Sequence, residues 1–327
     1  MGKLCFGVDL GGTTVKMGIF TVEGSLLEDW EIPTRKEDKG AYILDDIAAS
    51  INKKVSDENI DPEDVIGVGI GVPGPVTPSG IVKGCVNIGW GDTPVEETLK
   101  DKTGFIVKAG NDANVAALGE LWQGGGKGNN SLVMVTLGTG VGGGIVLDGK
   151  IVKGTHGAAG EIGHMTVVYD ETETCNCGKK GCLEQVASAT GIVKEAKKFL
   201  AADDTPSTLR NIDGFTAKDV FDEAKKGDEI SLKTVNRLGE YLGIALGHIA
   251  CVIDPDVFII GGGVSKAGDF LIDTIEKYYV EKTYHQCRKT PIKLATLGNS
   301  AGIYGAAKLV IPSLLRAFEY RYDTAPE

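Results

Sequence analysis

The chain lacks three features that mark whole classes of protein. No apolar run approaches the roughly 20 residues that a membrane helix needs, and the first residues show no signal-peptide pattern. Positive charge is not in excess either: the formal net charge is −11, which disfavours binding to a nucleic-acid backbone. We therefore expect a cytoplasmic protein with neither a membrane nor a nucleic acid as its partner.

Proline is scarce, with 11 residues, whereas glycine is abundant, with 47. The glycine share is roughly twice the average of about 7%. These glycines do not form a flexible linker but fall in short clusters at the ends of apolar runs. Because glycine permits tight turns and lets a ligand approach the backbone closely, the clusters are candidate binding sites.

The order of apolar runs predicts an α/β fold built from a repeated unit. Two similar sets of strands, each with a glycine turn, are predicted at residues 4–9, 15–20 and 25–32, and again at 133–137, 144–147 and from 151 onward. A duplicated unit predicts two lobes that face a central cleft. We expect residues 1–118 with 299–327 in the first lobe, and residues 119–298 in the second.

The remaining pattern predicts further strands and a largely helical second half. Strands are predicted at residues 65–72, 105–109 and 257–260. Helices are predicted at about 41–56, 114–122, 190–202, 216–226, 228–253 and 300–309, with a short one after the break at Pro312.

Three glycine clusters are predicted to bind a nucleotide, because the backbone N–H groups of such turns converge on phosphate oxygens. The first is neither a Walker A loop nor a Rossmann fingerprint, since a strand rather than a helix follows it. A plain hairpin explains one cluster but explains three poorly. The candidate nucleotide-binding residues are Gly11, Gly12, Thr13, Thr14, Lys16, Gly138, Thr139, Gly140, Gly262 and Gly263.

Asp9 ends the first predicted strand, beside the first glycine turn. A carboxylate there repels phosphate unless a cation lies between them. We interpret Asp9 as a ligand of Mg²⁺, acting through water. The alternative is an Asx turn in which the side chain caps the glycines.

Asp112 follows the strand predicted at 105–109 and precedes a helix that starts near Ala113. One interpretation is a helix N-cap, a position that aspartate fills well. The other is a general base that accepts the proton of an attacking hydroxyl during phosphoryl transfer. The helix N-terminus is expected to keep this carboxylate ionised, which makes it a weak base.

Together these segments resemble the ROK family, which groups sugar kinases with sugar-responsive repressors, and within it the bacterial glucokinases. The residues that carry the resemblance are 9–14, 71–75, 111–114, 137–144, 161–164, 175–184 and 261–263. The resemblance implies an actin-like (ribonuclease H-like) ATPase fold, a homodimer, ATP with Mg²⁺, a sugar substrate and Asp112 as the base. It also implies that the sugar is bound by Asn87, Asn111, Asp112, Glu161, His164 and Glu184.

Cys175, Cys177 and Cys182 place three thiols within eight residues. Thiolates select Zn²⁺, which takes four ligands in a tetrahedron. The Cys-x-Cys spacing is tighter than usual, but the resemblance supplies His164 as a fourth ligand. A closed set of this kind is structural, and one ring nitrogen of His164 is left for the sugar.

Three alternatives are weighed against a glucokinase. A sugar-responsive repressor carries a DNA-binding helix before the first glycine turn, and only eight residues precede Asp9 here. A non-catalytic actin-like protein lacks the 111–114, 161–164 and cysteine segments. A kinase for fructose, mannose, allose or N-acetylmannosamine stays open, since specificity depends on individual hydroxyl contacts that the sequence does not display.

Overall fold

The computed structural model describes residues 2–202 and 204–312. Its strands are β1 (Leu4–Leu10), β2 (Thr14–Thr21), β3 (Leu26–Pro33), β4 (Val65–Val72), β5 (Ile81–Cys85), β6 (Trp90–Pro94), β7 (Val107–Asn111), β8 (Leu132–Leu137), β9 (Val141–Leu147), β10 (Lys150–Ile151), β11 (Val257–Gly261) and β12 (Ile292–Leu294). Its helices are α1 (Glu37–Gly40), α2 (Ile43–Asp57), α3 (Val95–Thr103), α4 (Asp112–Gln123), α5 (Glu184–Ala187), α6 (Ala189–Ala202), α7 (Ala217–Lys225), α8 (Glu229–Ile253), α9 (Asp269–Lys282) and α10 (Ala301–Val310).

Two five-stranded sheets have the same strand order. The first runs β3-β2-β1-β4-β7 and the second β10-β9-β8-β11-β12. In each sheet the central strand is antiparallel to the strand that follows it along the chain and parallel to its other neighbour. The structure thus confirms the predicted duplication. β1 and β8 are apolar along almost their whole length because both faces of each sheet are covered.

Each sheet has its own hydrophobic core. Around the first sheet, Phe6 and Ile70 pack with Ile47 of α2. Around the second, Phe258 packs with Leu246 of α8 and Tyr279 of α9. None of the described helices combines the length and apolarity needed to cross a bilayer.

Glycines bring α10 into direct backbone contact with β1, β4 and α4. A Cβ at Gly7 or Gly69 would overlap a carbonyl oxygen of α10, and a Cβ at Gly119 of α4 would do the same. The helix predicted at 300–309 therefore packs on the first sheet. The boundaries at residues 118 and 299 stay predictions.

Several elements differ from the sequence prediction. β7 begins at Val107 rather than at 105 and ends at Asn111, and β10 contains only two residues. The hairpin of β5 and β6, helix α3 and the edge strand β12 were not predicted, because they are short or carry no clear periodicity. The helix predicted after Pro312 lies outside the described residues.

Candidate active site

A cavity of about 810 Å³ lies between the two sheets, beyond the carboxyl ends of their parallel strands. Ligands commonly bind at this edge of an α/β sheet. Both halves of the molecule contribute residues to its wall. These include Asp9, Gly11, Lys16, Asp112, Thr136, Gly262, Gly263, Lys266, Thr296 and Asn299.

The junction of β7 and α4 positions Asp112. Asn111 has an extended backbone and is the N-cap: its Oδ1 accepts a hydrogen bond from the backbone N–H of Asn114, at 3.3 Å. The interpretation of Asp112 as the N-cap is therefore wrong, because its neighbour fills that position. Asp112 is instead the first helical residue, and its carboxylate lines the cavity.

The two carboxylate oxygens of Asp112 differ in their contacts. Oδ1 accepts hydrogen bonds from the backbone N–H of Ala113, at 2.8 Å, and from Nδ2 of Asn111, at 3.0 Å. Within the described residues, Oδ2 accepts no hydrogen bond. One oxygen is thus fixed by the protein while the other is available to a substrate.

The pKa of Asp112 is raised above its ordinary value. Desolvation is the largest cause, although part of the side chain is exposed to solvent, and the charge of Glu161 acts in the same direction. The hydrogen bonds from Ala113 and Asn111 lower the pKa by less. The direction of this shift is opposite to the one expected from the helix N-terminus alone, because desolvation outweighs the local hydrogen bonds.

Asp9, near the end of β1, lines the same cavity. Burial raises its pKa to about 6, the charge of Asp112 adds to the rise, and Lys16 opposes it. Within the described residues, the side chain accepts no hydrogen bond from the first glycine turn, so the Asx-turn alternative is not observed. A half-buried carboxylate that accepts no hydrogen bond from the described residues fits the oxygen ligation that Mg²⁺ requires.

The first glycine turn closes through a hydrogen bond from the N–H of Gly11 to the carbonyl of Thr14, at 3.0 Å. Gly11 and Lys16 line the cavity. The structure does not place Gly12, Thr13 or Thr14 in that lining. Gly12 and Thr13 belong to the same turn, and Thr14 begins β2.

The second turn lies at the equivalent position after β8. Gly138 and Thr139 line a neighbouring cavity of about 480 Å³, whose opposite wall is the start of α7. Gly140 instead faces Glu184, and a Cβ at Gly140 would overlap the Oε2 atom of that residue. Glu184 Oε2 also accepts a hydrogen bond from the N–H of Val141, at 2.9 Å.

The third cluster separates the two cavities. Gly262 has a φ of 85°, and a Cβ there would overlap the carbonyl of Leu137, so only glycine fits. Gly263 and Lys266 line both cavities. The sequence prediction missed Lys266, although a cation shortly after a glycine cluster is a usable signal for phosphate binding.

The predicted sugar-binding residues are only partly brought together. Asn111 and Asp112 are in contact, and the charge of Glu161 reaches Asp112. Asn87 is exposed in the turn between β5 and β6. In the described part of the chain, no hydrogen bond links Asn87 to the other predicted sugar contacts.

The predicted zinc ligands do converge. One ligand atom from each of His164, Cys175, Cys177 and Cys182 lies within 4.8 Å of all the others. Nδ1 of His164 is 3.8 Å from Sγ of Cys175, and the Sγ atoms of Cys177 and Cys182 are 3.5 Å apart. Tetrahedral Zn–S bonds of about 2.3 Å separate their sulfur atoms by about 3.8 Å. The four residues therefore fit a structural zinc ion.

Comparison with known proteins agrees with this geometry. The sequence model of the ROK family matches residues 5–312. The chain is 44% identical over 309 residues to a glucokinase of Halalkalibacterium halodurans. The aligned region covers 93% of this chain and 94% of that protein.

Two solved structures share the fold. A ROK family glucokinase from Streptomyces griseus, in complex with glucose and AMPPNP, is 34% identical with a TM-score of 0.69, over 94% of this chain and 98% of the other. A ROK hexokinase from Thermus thermophilus is 31% identical with a TM-score of 0.78, and the match covers 94% of this chain and 97% of the other. The predicted actin-like fold is confirmed, and the chain belongs to the ROK family.

Proposed function

We propose that this ROK-family hexose kinase uses ATP to phosphorylate the 6-hydroxyl of D-glucose, with Asp112 as the general base. The observation that carries the proposal is the position of Asp112. Asp112 lines a cavity to which Asp9, Lys16 and the first and third glycine clusters also contribute. A proton acceptor and a phosphate-binding surface thus face the same space.

The chemistry follows from the contacts of Asp112. Hydrogen bonds hold Oδ1, so Oδ2 can accept the proton of the sugar hydroxyl while the hydroxyl oxygen forms a bond to the γ-phosphorus. The bond from that phosphorus to the bridging oxygen breaks, and ADP leaves. A raised pKa makes the carboxylate a better base, and in a loose transition state the proton moves late.

The two cavities fit the two ends of ATP. The smaller one has apolar contacts from Ala217 and Phe221 and suits adenosine. The shared wall at Gly263 and Lys266 leads the phosphates into the larger cavity. Mg²⁺, when bound with ATP, neutralises phosphate charge, and we assign Asp9 to hold it through water.

Glucose is the proposed acceptor because the relatives with full-length similarity include a glucokinase and a glucokinase bound to glucose. We keep Asn87, Asn111, Glu161, His164 and Glu184 as proposed sugar contacts. Another hexose or an amino sugar is the alternative acceptor. A homodimer and a cytoplasmic location are part of the same proposal, and light scattering of the purified protein tests the former.

His164, Cys175, Cys177 and Cys182 would hold zinc as a structural ion. With Nδ1 of His164 on the side of the cysteines, Nε2 is left to face the sugar. Glu184, two residues after Cys182, is anchored to the second glycine turn. Zinc ligation thus orders two proposed sugar contacts at once.

A panel of sugars assayed with ATP and Mg²⁺ tests the proposal on the wild type and on Asp112→Asn. We expect the highest kcat/KM with glucose, and a loss of turnover of about 10²–10⁴-fold in the variant. Glucose binding, measured by calorimetry, should largely survive. Asp92→Asn, at an exposed position, is the matched control.

Two outcomes would contradict the proposal. A higher kcat/KM with another sugar would transfer the assignment to that acceptor. Turnover retained by Asp112→Asn would move the base elsewhere, with Glu161 the next carboxylate to replace.

A further inference from the structure

Glu120 is a fully buried carboxylate, with 0% of its surface exposed. It lies on α4, eight residues after Asp112. Burying a charged group is unfavourable unless hydrogen bonds compensate for the lost water. A glutamate in this position therefore needs partners, and those partners indicate its role.

Its partners are backbone N–H groups from two segments. Oε2 accepts hydrogen bonds from Gly125, at 2.8 Å, and from Thr296, at 3.1 Å. Oε1 accepts one from Leu297, at 2.9 Å. Two of the three bonds thus join α4 to a segment about 176 residues away in the sequence.

The three glycines after α4 allow this arrangement. A Cβ at Gly124 would overlap Oε2 of Glu120, and a Cβ at Gly125 would lie 2.6 Å from the carbonyl oxygen of Leu294. The N–H of Gly126 donates to the backbone carbonyl of Glu120, at 3.0 Å. The chain folds over the buried carboxylate because no side chains intervene.

The segment that Glu120 holds forms part of the cleft wall. Thr296 and Asn299 line the larger cavity, and the carbonyl of Asn299 accepts a hydrogen bond from Nζ of Lys16, at 3.5 Å. In this segment the chain passes from β12 of the second sheet into α10, which packs on the first. Its position therefore affects the part of the cleft assigned to the nucleotide.

We propose that Glu120 is a positioning residue for the nucleotide. It fixes the 296–299 segment relative to α4, and hence the nucleotide side of the cleft relative to Asp112 at the start of the same helix. The inference rests on the proposed function only in assigning that wall to ATP. It does not depend on which sugar is the acceptor.

The test compares Glu120→Gln with Glu195→Gln. Glu195 is also buried, at 3% exposure, but it pairs with Lys198 of α6 and Arg237 of α8, away from the cleft. Glutamine keeps the shape of Glu120 but turns an amide group toward backbone donors. We expect Glu120→Gln to raise the KM for ATP and the Kd for Mg·ADP about ten- to hundredfold, with the Kd for glucose changed less than about twofold.

Glu195→Gln should lower the melting temperature and leave both ligand affinities unchanged. If Glu120→Gln behaves like Glu195→Gln, or if nucleotide and glucose affinities fall together, the positioning role is wrong. Glu120→Asp keeps the carboxylate, so it should recover part of the nucleotide affinity. It also provides a second test if the glutamine variant does not fold. Calorimetry with Mg·ADP measures nucleotide binding without turnover. A failure of the positioning role can therefore be distinguished from a failure of the proposed sugar kinase reaction.

Discussion

Asp9, near the end of β1, and Asp112, at the start of α4, line the same cavity, and the charge of Asp112 reaches Asp9. Burial, and then the charge of Asp112, raises the pKa of Asp9 to about 6 from its ordinary 3.8. The two carboxylates therefore repel each other, and a cation bound in the cleft would reduce this repulsion.

Replacing Asp9 by Asn should change how stability depends on pH. A raised pKa stabilises the native state at low pH, and this contribution is lost as the pH rises from 3.8 through about 6. Between pH 4.5 and 7.5 the wild type should lose about 2 kcal/mol relative to the variant. Urea unfolding of both proteins across this range measures the difference. Parallel curves would contradict the raised pKa.

Substitutions of Asn111 should separate helix capping from the tuning of Asp112. Asn111→Ala removes the cap and costs about 1 kcal/mol in unfolding free energy. Asn111→Asp keeps a capping oxygen but replaces the Nδ2 donor with a negative charge. Both should raise the pKa of Asp112 and shift the acidic limb of kcat/KM to higher pH, the aspartate variant by more. An unchanged limb in both would show that Asp112 is not the group that limits the rate at low pH.

Removal of zinc should weaken sugar binding and stability together. A strong chelator, or Cys177→Ser at the exposed ligand, is expected to lower the melting temperature and raise the KM for glucose. The KM for ATP should change less, since the nucleotide cavities do not include the cysteines. Cys251→Ser, at an exposed cysteine outside the cluster, is the control. A metal-free preparation with full activity would contradict the prediction.

Gly302→Ala should impair catalysis more than folding. A Cβ at Gly302 would overlap the carboxylate of Asp9, which is the end of a side chain and can move aside. We expect a rise of about tenfold or more in the KM for Mg·ATP, or a similar fall in kcat, from displacement of this one carboxylate. Gly91→Ala, where a Cβ meets no atom within 4 Å, is the control. Kinetics equal to those of the wild type would argue against a role for Asp9.

The features that could be predicted from the sequence are those that a local pattern of residues determines. The duplicated strands and their glycine turns are recognisable because apolar runs and glycines are adjacent in the chain. The sequence suggested Asp112 as a possible N-cap and overlooked Asn111, although both residue types cap well. The choice depends on where β7 ends, which tertiary packing sets.

The parts that were missed depend on distant partners. Glu120 resembles any helical surface glutamate in the sequence, and only the fold shows the N–H groups of Thr296 and Leu297 around it. The raised pKa of Asp112 was missed for a similar reason. Desolvation and the charge of Glu161 depend on the folded structure, whereas the helix N-terminus is visible in the local sequence.

Helix α4 begins with Asp112, and Glu120 lies on it two turns later. At about 1.5 Å and 100° per residue, the helix sets both the distance and the angle between the two side chains. Substitutions on its surface leave this spacing intact, whereas inserting or deleting a single residue between them rotates one carboxylate out of place. The length of this stretch should thus be constant during evolution, even where its composition is free to drift.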